Sequence, residues 1–248
     1  MRSAAALRDR WISIIPGMLA RTGMYASTGA EMQLGADNLL EDLCFLDDRD
    51  AEYGRVRAEL LRRYGQLGVG GPFTAIFGLA HCQAEVAAVY AEVFARLGYL
   101  AVKGTLSPAR WGELTASLPT LFDEQDLRLS EAQQKLGPAS LVVDGRILCY
   151  ASSRPADGWV FVDGHPVTTP VYQPGEGRFG STSDDDPLVR SVRRSTGSFE
   201  DGLILTLYGR VLRWGPGWWI DHPSPTSSRE SRAIATQLRQ ARDADPSQ

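Results

Sequence analysis

The fold follows from the stretch Gly145-Arg146-Ile147-Leu148-Cys149-Tyr150, which leads through a loop into Gly158-Trp159-Val160-Phe161-Val162-Asp163-Gly164-His165-Pro166. Asp144-Gly145, set between apolar runs, is a strong short-range signal for a two-residue hairpin turn. The apolar and aromatic residues on either side favour extended strands. We therefore predict an antiparallel β-sheet in the C-terminal half of the chain.

A second stretch has the same pattern. Gly209-Arg210-Val211-Leu212-Arg213-Trp214 leads through a shorter loop into Gly217-Trp218-Trp219-Ile220-Asp221-His222-Pro223. Each copy predicts a strand, a Gly-containing turn, and an aromatic-led strand that ends at an acidic residue and His-Pro. Such residues are common in turns and strands, so true duplication and chance similarity both remain open. In either case, the two stretches predict two similar hairpins in one sheet.

The first 106 residues have a helical pattern. Apolar spacings predict helices over Ala4–Ile15 and Tyr53–Tyr64 and a long apolar helix over Phe73–Leu97. A further helix is expected between the first two, with Asp37 as its N-cap. Pro16 is expected to end or kink the first helix, and Gly98 to end the last one in a left-handed conformation.

The C-terminal part predicts short helices after Ser107 and Ser130, and then strands. Outside the first hairpin, strands are expected at Val167–Tyr172, Leu203–Tyr208, Arg210–Trp214 and Trp218–Asp221. The Gly-, Ser- and Asp-rich segment 174–186 predicts an exposed loop. The chain thus divides into a helical region (1–106), short helices followed by the sheet (107–223) and a polar tail (224–248), with one compact domain as the alternative. The fold class is α+β, with a helical N-terminal half packed on a C-terminal antiparallel sheet.

The composition narrows the function classes. The 248 residues include 43% hydrophobic and 23% charged residues, with a formal net charge of -4. No basic excess is present, which disfavours nucleic-acid binding. No apolar run approaches transmembrane length, and we expect no membrane association. The three cysteines, Cys44, Cys82 and Cys149, have apolar neighbours; they are expected to be buried reduced thiols of a cytoplasmic protein.

One candidate for catalysis is Cys82, followed by Ala95-Arg96-Leu97-Gly98-Tyr99-Leu100-Ala101-Val102. This pattern resembles the transglutaminase-like hydrolases, in which a nucleophilic Cys begins a helix that ends in a similar Leu-Gly segment. The resemblance implies a thiol hydrolase or transferase that uses Cys82, with Asp163 as a further catalytic residue. The strand expected to carry the catalytic His contains none, and the alternative is a Cys82 that is buried and unreactive.

A second resemblance lies in Arg21-Thr22-Gly23-Met24-Tyr25-Ala26-Ser27-Thr28-Gly29. These residues resemble the Arg-Pro-Gly-Met-Tyr stretch of type II topoisomerase ATPase domains, which would imply nucleotide binding. They also resemble the opening of small bacterial proteins of the toxin-immunity type, where the segment is structural. In the structural alternative, Met24-Tyr25 fill the core.

The paired turns supply candidate ligands and contact residues. If a local two-fold related the two hairpins, Asp163, His165, Asp221 and His222 would approach one another as a metal site. The alternative is that both His-Pro pairs only end strands, and we expect neither a metal nor another cofactor.

Neighbouring strand residues point to opposite faces, so Trp218 and Trp219 cannot both face the same core. We therefore expect a binding surface that uses aromatic and polar groups of the two hairpins: Trp159, Trp214, Trp218, Trp219, Asp221 and His222.

These observations favour a non-catalytic intracellular protein-binding domain similar to immunity proteins or antitoxins, whose expected partner is another protein, with a toxin as the candidate. No constellation combines a nucleophile, a base and an orienting group at a credible spacing. The alternative function is the transglutaminase-like cysteine enzyme, and the reactivity of Cys82 distinguishes the two.

Overall fold

The computed structural model describes residues 3–78, 81–123, 125–166, 168–173, 178–214, 236–237, 239–240 and 243. Its helices are α1 (Ala4–Ala20), α2 (Gly29–Leu46), α3 (Asp50–Tyr64), α4 (Gly70–Phe77), α5 (Gln83–Arg96), α6 (Pro108–Phe122), α7 (Leu129–Leu136) and α8 (Leu207–Trp214). Its strands are β1 (Leu141–Val143), β2 (Ile147–Ala151), β3 (Trp159–His165), β4 (Thr168–Gln173), β5 (Arg178–Ser183), β6 (Leu188–Arg194) and β7 (Leu203–Leu205). The predicted α+β class is confirmed.

The first two helices are longer than the sequence pattern predicted. α1 continues past Pro16, which lies on the exposed side of the helix, where water can satisfy the backbone carbonyl that the proline leaves without a donor. α2 begins at Gly29 rather than beside Asp37. The Thr28 hydroxyl accepts from the Glu31 amide at 3.2 Å, and the Glu31 carboxylate accepts from the Ser27 amide at 2.7 Å. These two bonds cap α2 at Thr28, nine residues before the expected cap at Asp37.

The long helix expected over Phe73–Leu97 is two helices. Gly78 adopts a left-handed conformation (φ 65°) and ends α4, and α5 starts after Cys82. α5 does end as predicted. Gly98 has φ 80°, and the amides of Gly98 and Tyr99 donate to Ala95 O (3.1 Å) and Phe94 O (2.8 Å). This is the Schellman pattern that a glycine after the last helical turn favours.

The main sheet is antiparallel, with strand order β1-β2-β3-β6-β7; β4 and β5 form a separate two-stranded sheet. Asp144 (φ 52°) and Gly145 (φ 67°) form the predicted β1–β2 turn, with both central residues at positive φ. β5 lies in the segment predicted to be a loop. β6, which pairs with β3 in the centre of the sheet, was not predicted.

The second hairpin is a correction. Gly209–Trp214 is not a strand but forms most of α8. The Thr206 hydroxyl accepts from the Gly209 amide at 3.0 Å, which caps the helix. Gly209 also lies so close to the backbone of Arg190 that a Cβ atom there would be 1.9 Å from Arg190 O. The strand expected at Trp218–Asp221 lies outside the described residues, as does most of the chain after residue 214, including most of the polar tail.

Helices cover both faces of the main sheet. Ile147, Cys149 and Ala151 of β2 belong to the larger core with α1, α2 and α5, whereas Leu148 and Tyr150 belong to a second core with α6 and α7. Both sets are buried, which explains why β2 is apolar throughout instead of alternating. Among the described residues, no helix has the length and apolar character needed to cross a bilayer.

Candidate functional site

Cys82 lies where the N-terminal ends of three helices meet. It precedes α5, its Sγ is 3.8 Å from the carbonyl oxygen of Gly70 in the first turn of α4, and a Cβ atom on Gly29 of α2 would be 2.3 Å from that sulfur. Its exposed fraction is 1%, and burial raises the pKa of the thiol. Helix N-termini favour a thiolate, whereas desolvation, the largest cause of the raised pKa here, favours the thiol. Cys82 is thus a protonated packing residue, and Cys44 and Cys149 are also buried and free, as predicted.

A largely buried cluster of four charged residues, in which 13% of the Arg146 side chain stays exposed, joins α5 to the sheet. Arg146 donates to Asp163 Oδ1 at 2.8 Å and to Glu85 Oε1 at 2.7 Å. Arg190 donates to Asp163 Oδ2 at 2.8 Å and also to Glu85 Oε1. Two carboxylates and two guanidinium groups balance formally, which makes burial of all four tolerable.

Asp163 is fully engaged within this cluster. Both of its oxygens accept from arginines, so it is not available to orient a base. His165 accepts from Arg190 at 3.2 Å through Nδ1, and burial, together with the Arg190 charge, lowers its pKa to about 4. At the two positions that the transglutaminase-like resemblance implies, the Cys82 thiol is buried with a raised pKa, and both Asp163 oxygens accept from arginines. These contacts point to a structural function.

The metal alternative meets the same obstacle. No group of three or more His, Cys, Asp or Glu side chains in the described ranges is arranged to hold a metal ion. Asp163 and His165 face arginines, which repel cations. Asp221 and His222 lie outside the described residues.

Arg190 and Glu85 were not identified from the sequence, although a signal existed. Glu85 is the one charged residue among the buried residues Ala84–Ala91, and a charge within an apolar helix requires a buried partner. A second buried polar contact was also missed. The Ser195 hydroxyl donates to Glu92 Oε1 at 2.6 Å and accepts from the Trp159 amide at 2.5 Å.

The predicted aromatic surface is only partly described. Trp159 is 7% exposed and belongs to the larger core, so it cannot contact a partner. Trp214 is 48% exposed at the end of α8, with the Arg213 guanidinium 4.8 Å from its ring centroid. Trp218 and Trp219 lie outside the described residues, and their involvement stays a prediction.

The segment Arg21–Gly29 lies at the surface. Thr22 is buried, and its amide donates to Asp144 Oδ1 at 3.0 Å, which joins the segment to the first hairpin turn. Met24 and Tyr25 are exposed, contrary to the expectation that they fill the core. The segment leads directly into α2.

The outer side of α2, here called the α2 face, consists of Glu31, Leu34, Asn38, Glu41, Asp42 and Phe45. All six residues are exposed, with Leu34 at 62% and Phe45 at 68%. At 100° and 1.5 Å per residue, Leu34 and Phe45 point in nearly the same direction, about 20° and 16 Å apart. The helix carries four acidic residues and no Lys or Arg. The result is an acidic stripe in which Glu41 and Asp42 lie between two large apolar side chains, Leu34 and Phe45.

Clefts border α2 on both sides. One of about 280 Å³ lies between α1 and α2, beside Trp11 and Tyr25. On the other side, a cleft of about 660 Å³ lies between α2 and α4, and one of about 550 Å³ between α2 and α3. α2 is therefore a ridge between grooves. Comparison of the chain with models of known families, with curated proteins and with solved structures gives no match.

Proposed function

We propose that the chain is a non-catalytic intracellular protein-binding domain, of the immunity or antitoxin kind, that binds a basic partner protein through the α2 face. The observation that carries this proposal is the combination of Leu34 and Phe45 with the negative charge of α2. Large exposed apolar side chains are typical anchors of interfaces. They belong here to a helix with a formal charge of -4, the same value as the net charge of the whole chain.

The charge of α2 selects the chemistry of the partner. A helix with four carboxylates and no cation repels nucleic-acid phosphates and anionic lipid surfaces. It attracts a positively charged protein surface and increases the rate of encounter with it. The grooves beside the ridge allow side chains of such a partner to pack on both sides of α2.

The buried groups support binding over catalysis. Cys82 is covered and protonated, and the carboxylates of Glu85 and Asp163 accept from Arg146 and Arg190. Reduced, buried cysteines are consistent with an intracellular compartment.

The test is a site-specific photo-crosslink in the native host. A photoreactive amino acid replaces Asn38 on the α2 face or, as the control, Glu113, an exposed residue of α6. We expect one crosslinked basic protein from position 38 and none from position 113. Equal products from both positions, or none from position 38, would refute the proposal.

The captured protein is then purified and its affinity measured as a function of salt. Leu34→Ala and Phe45→Ala should each weaken binding by about 2 kcal/mol, or on the order of 30-fold in Kd. Val142→Ala is the matched control because Val142 is an exposed apolar residue on β1. Binding that is insensitive both to salt and to these two substitutions would contradict the proposal.

A further inference from the structure

Two of the clefts share a wall of polar residues. Gln33 and Asp37 of α2 line both the 660 Å³ cleft towards α4 and the 550 Å³ cleft towards α3. Gln33 is fixed across the entrance to α4, because its Oε1 accepts from the Val69 amide at 2.8 Å. The backbone of Gly68 lies against this amide, and a Cβ atom there would be 2.3 Å from Gln33 Nε2. The wall between the clefts is therefore held in place by the main chain.

Asp37 is the charged group of this wall. It is half-buried, and its Oδ1 accepts from the Tyr90 hydroxyl at 2.6 Å. Burial raises the pKa of this carboxyl, and the hydrogen bond from Tyr90 and the charge of Arg57 oppose that effect only in part. In the described part of the chain, no Lys or Arg nitrogen lies within the 4.0 Å of an ion pair with Asp37. A half-buried carboxylate without a cation at contact distance is stabilised when one enters.

The rest of the 660 Å³ cleft suits a long aliphatic stem. Leu34 and Leu67 stand at its rim, and Ala30, Ala75 and the glycines of the α4 N-terminus leave its walls free of bulky side chains. Lys and Arg side chains combine an apolar stem of this kind with a cationic end.

We infer that Asp37 and the cleft beside it form the specificity pocket of the α2 face, which receives one Lys or Arg side chain of the partner protein. The stem lies between Leu34 and Leu67, and the cationic end pairs with Asp37. This inference rests on the proposed function and adds the chemical class of the residue that the partner must supply.

The first experiment uses the isolated chain and n-butylguanidinium, which mimics an Arg side chain. It is titrated into the ¹⁵N-labelled chain and followed by NMR. We expect saturable shifts of the Gln33, Asp37 and Leu67 amides, at least tenfold weaker binding to Asp37→Asn, and unchanged binding to Asp9→Asn, a matched variant of an exposed residue on α1. Hexanoate, which has a similar stem and a carboxylate, should cause no shifts there. Equal binding to Asp37→Asn and to the native chain, or shifts confined to other surfaces, would overturn the inference.

The second experiment uses the partner captured from position 38. Asp37→Asn should weaken its binding at least tenfold, and Asp9→Asn should not. Thermal unfolding of both variants checks that they are folded, since Asp37→Asn alters the bond to Tyr90. If n-butylguanidinium binds at Asp37 while partner affinity is unchanged in Asp37→Asn, the pocket inference is wrong and the proposed function stands. Failure of the crosslink at position 38 instead removes the proposed function, whatever the titration shows.

Discussion

Two glycines, Gly98 and Gly54, provide a direct test of how helix α5 ends. Gly98 follows α5 with φ 80°, whereas Gly54 lies inside α3 and has no positive φ. A Cβ atom added at either position meets nothing within 4 Å, so steric contact with the rest of the protein does not distinguish them. The same substitution, Gly→Ala, therefore isolates the backbone conformation.

The two substitutions should change the free energy of unfolding in opposite directions. An L-residue such as Ala in the left-handed region costs about 1–2 kcal/mol. The lower conformational entropy of the unfolded Ala variant offsets this cost only in part, so Gly98→Ala should destabilise the protein by about 1 kcal/mol. In a helix interior Ala is better than Gly by about 0.5–1 kcal/mol, so Gly54→Ala should stabilise it. The difference between the two variants is then about 2 kcal/mol.

Urea denaturation monitored by circular dichroism measures both values by linear extrapolation. A Gly98→Ala variant as stable as the native chain would show that α5 does not end in the Schellman pattern. An equal loss of stability in both variants would show that backbone conformation is not the deciding factor.

Three further predictions concern buried groups. Burial raises the pKa of Glu92 above its unfolded value. The stabilising contribution of the protonated carboxyl is therefore complete below about pH 4 and is lost as the pH rises. Glu92→Gln should have a higher Tm than the native chain at pH 7, and the difference should shrink towards pH 4. Cys82 should react with iodoacetamide far more slowly in the native chain than in urea, and intact mass measures this alkylation. Rapid alkylation of Cys82 in the native chain would favour the cysteine-enzyme alternative. Arg190→Met should lower the free energy of unfolding by about 3–5 kcal/mol, because Glu85 and Asp163 are then left with one guanidinium between them. A loss below about 1 kcal/mol in urea denaturation would show that the cluster is open to water.

The pH dependence of the fold has a second source in His165. Its pKa is lowered to about 4, so it is neutral in the folded protein at neutral pH, while the unfolded chain takes up a proton near pH 6.5. Its contribution to stability is therefore lost as the pH falls from about 6.5 towards 4. This trend is opposite to that of Glu92, and Tm measurements on His165→Gln and Glu92→Gln separate the two.

The sequence by itself determined the features that short segments enforce. Asp144-Gly145 defined a turn because two consecutive residues there take positive φ, and Gly98 defined a helix end for a similar reason. Continuous apolar segments gave the buried helix α5 and strands β2 and β3, and from these came the α+β class. The burial of all three cysteines also followed from their neighbours.

Tertiary structure decided the features that depend on distant partners. Gly209–Trp214 has the same pattern as Gly145–Tyr150, yet it is helical because Thr206 caps it and because Gly209 packs on the backbone of Arg190. The pairing of Glu85 with Arg190 joins residues 105 positions apart, and no local sequence pattern indicates which distant residue is the partner. The binding surface was expected on the hairpins, but the exposed apolar residues on which our proposal rests, Leu34 and Phe45, lie on α2. Which side of that helix faces solvent is set by its packing against α1, α3 and α5, because an apolar side chain is buried only where another element covers it.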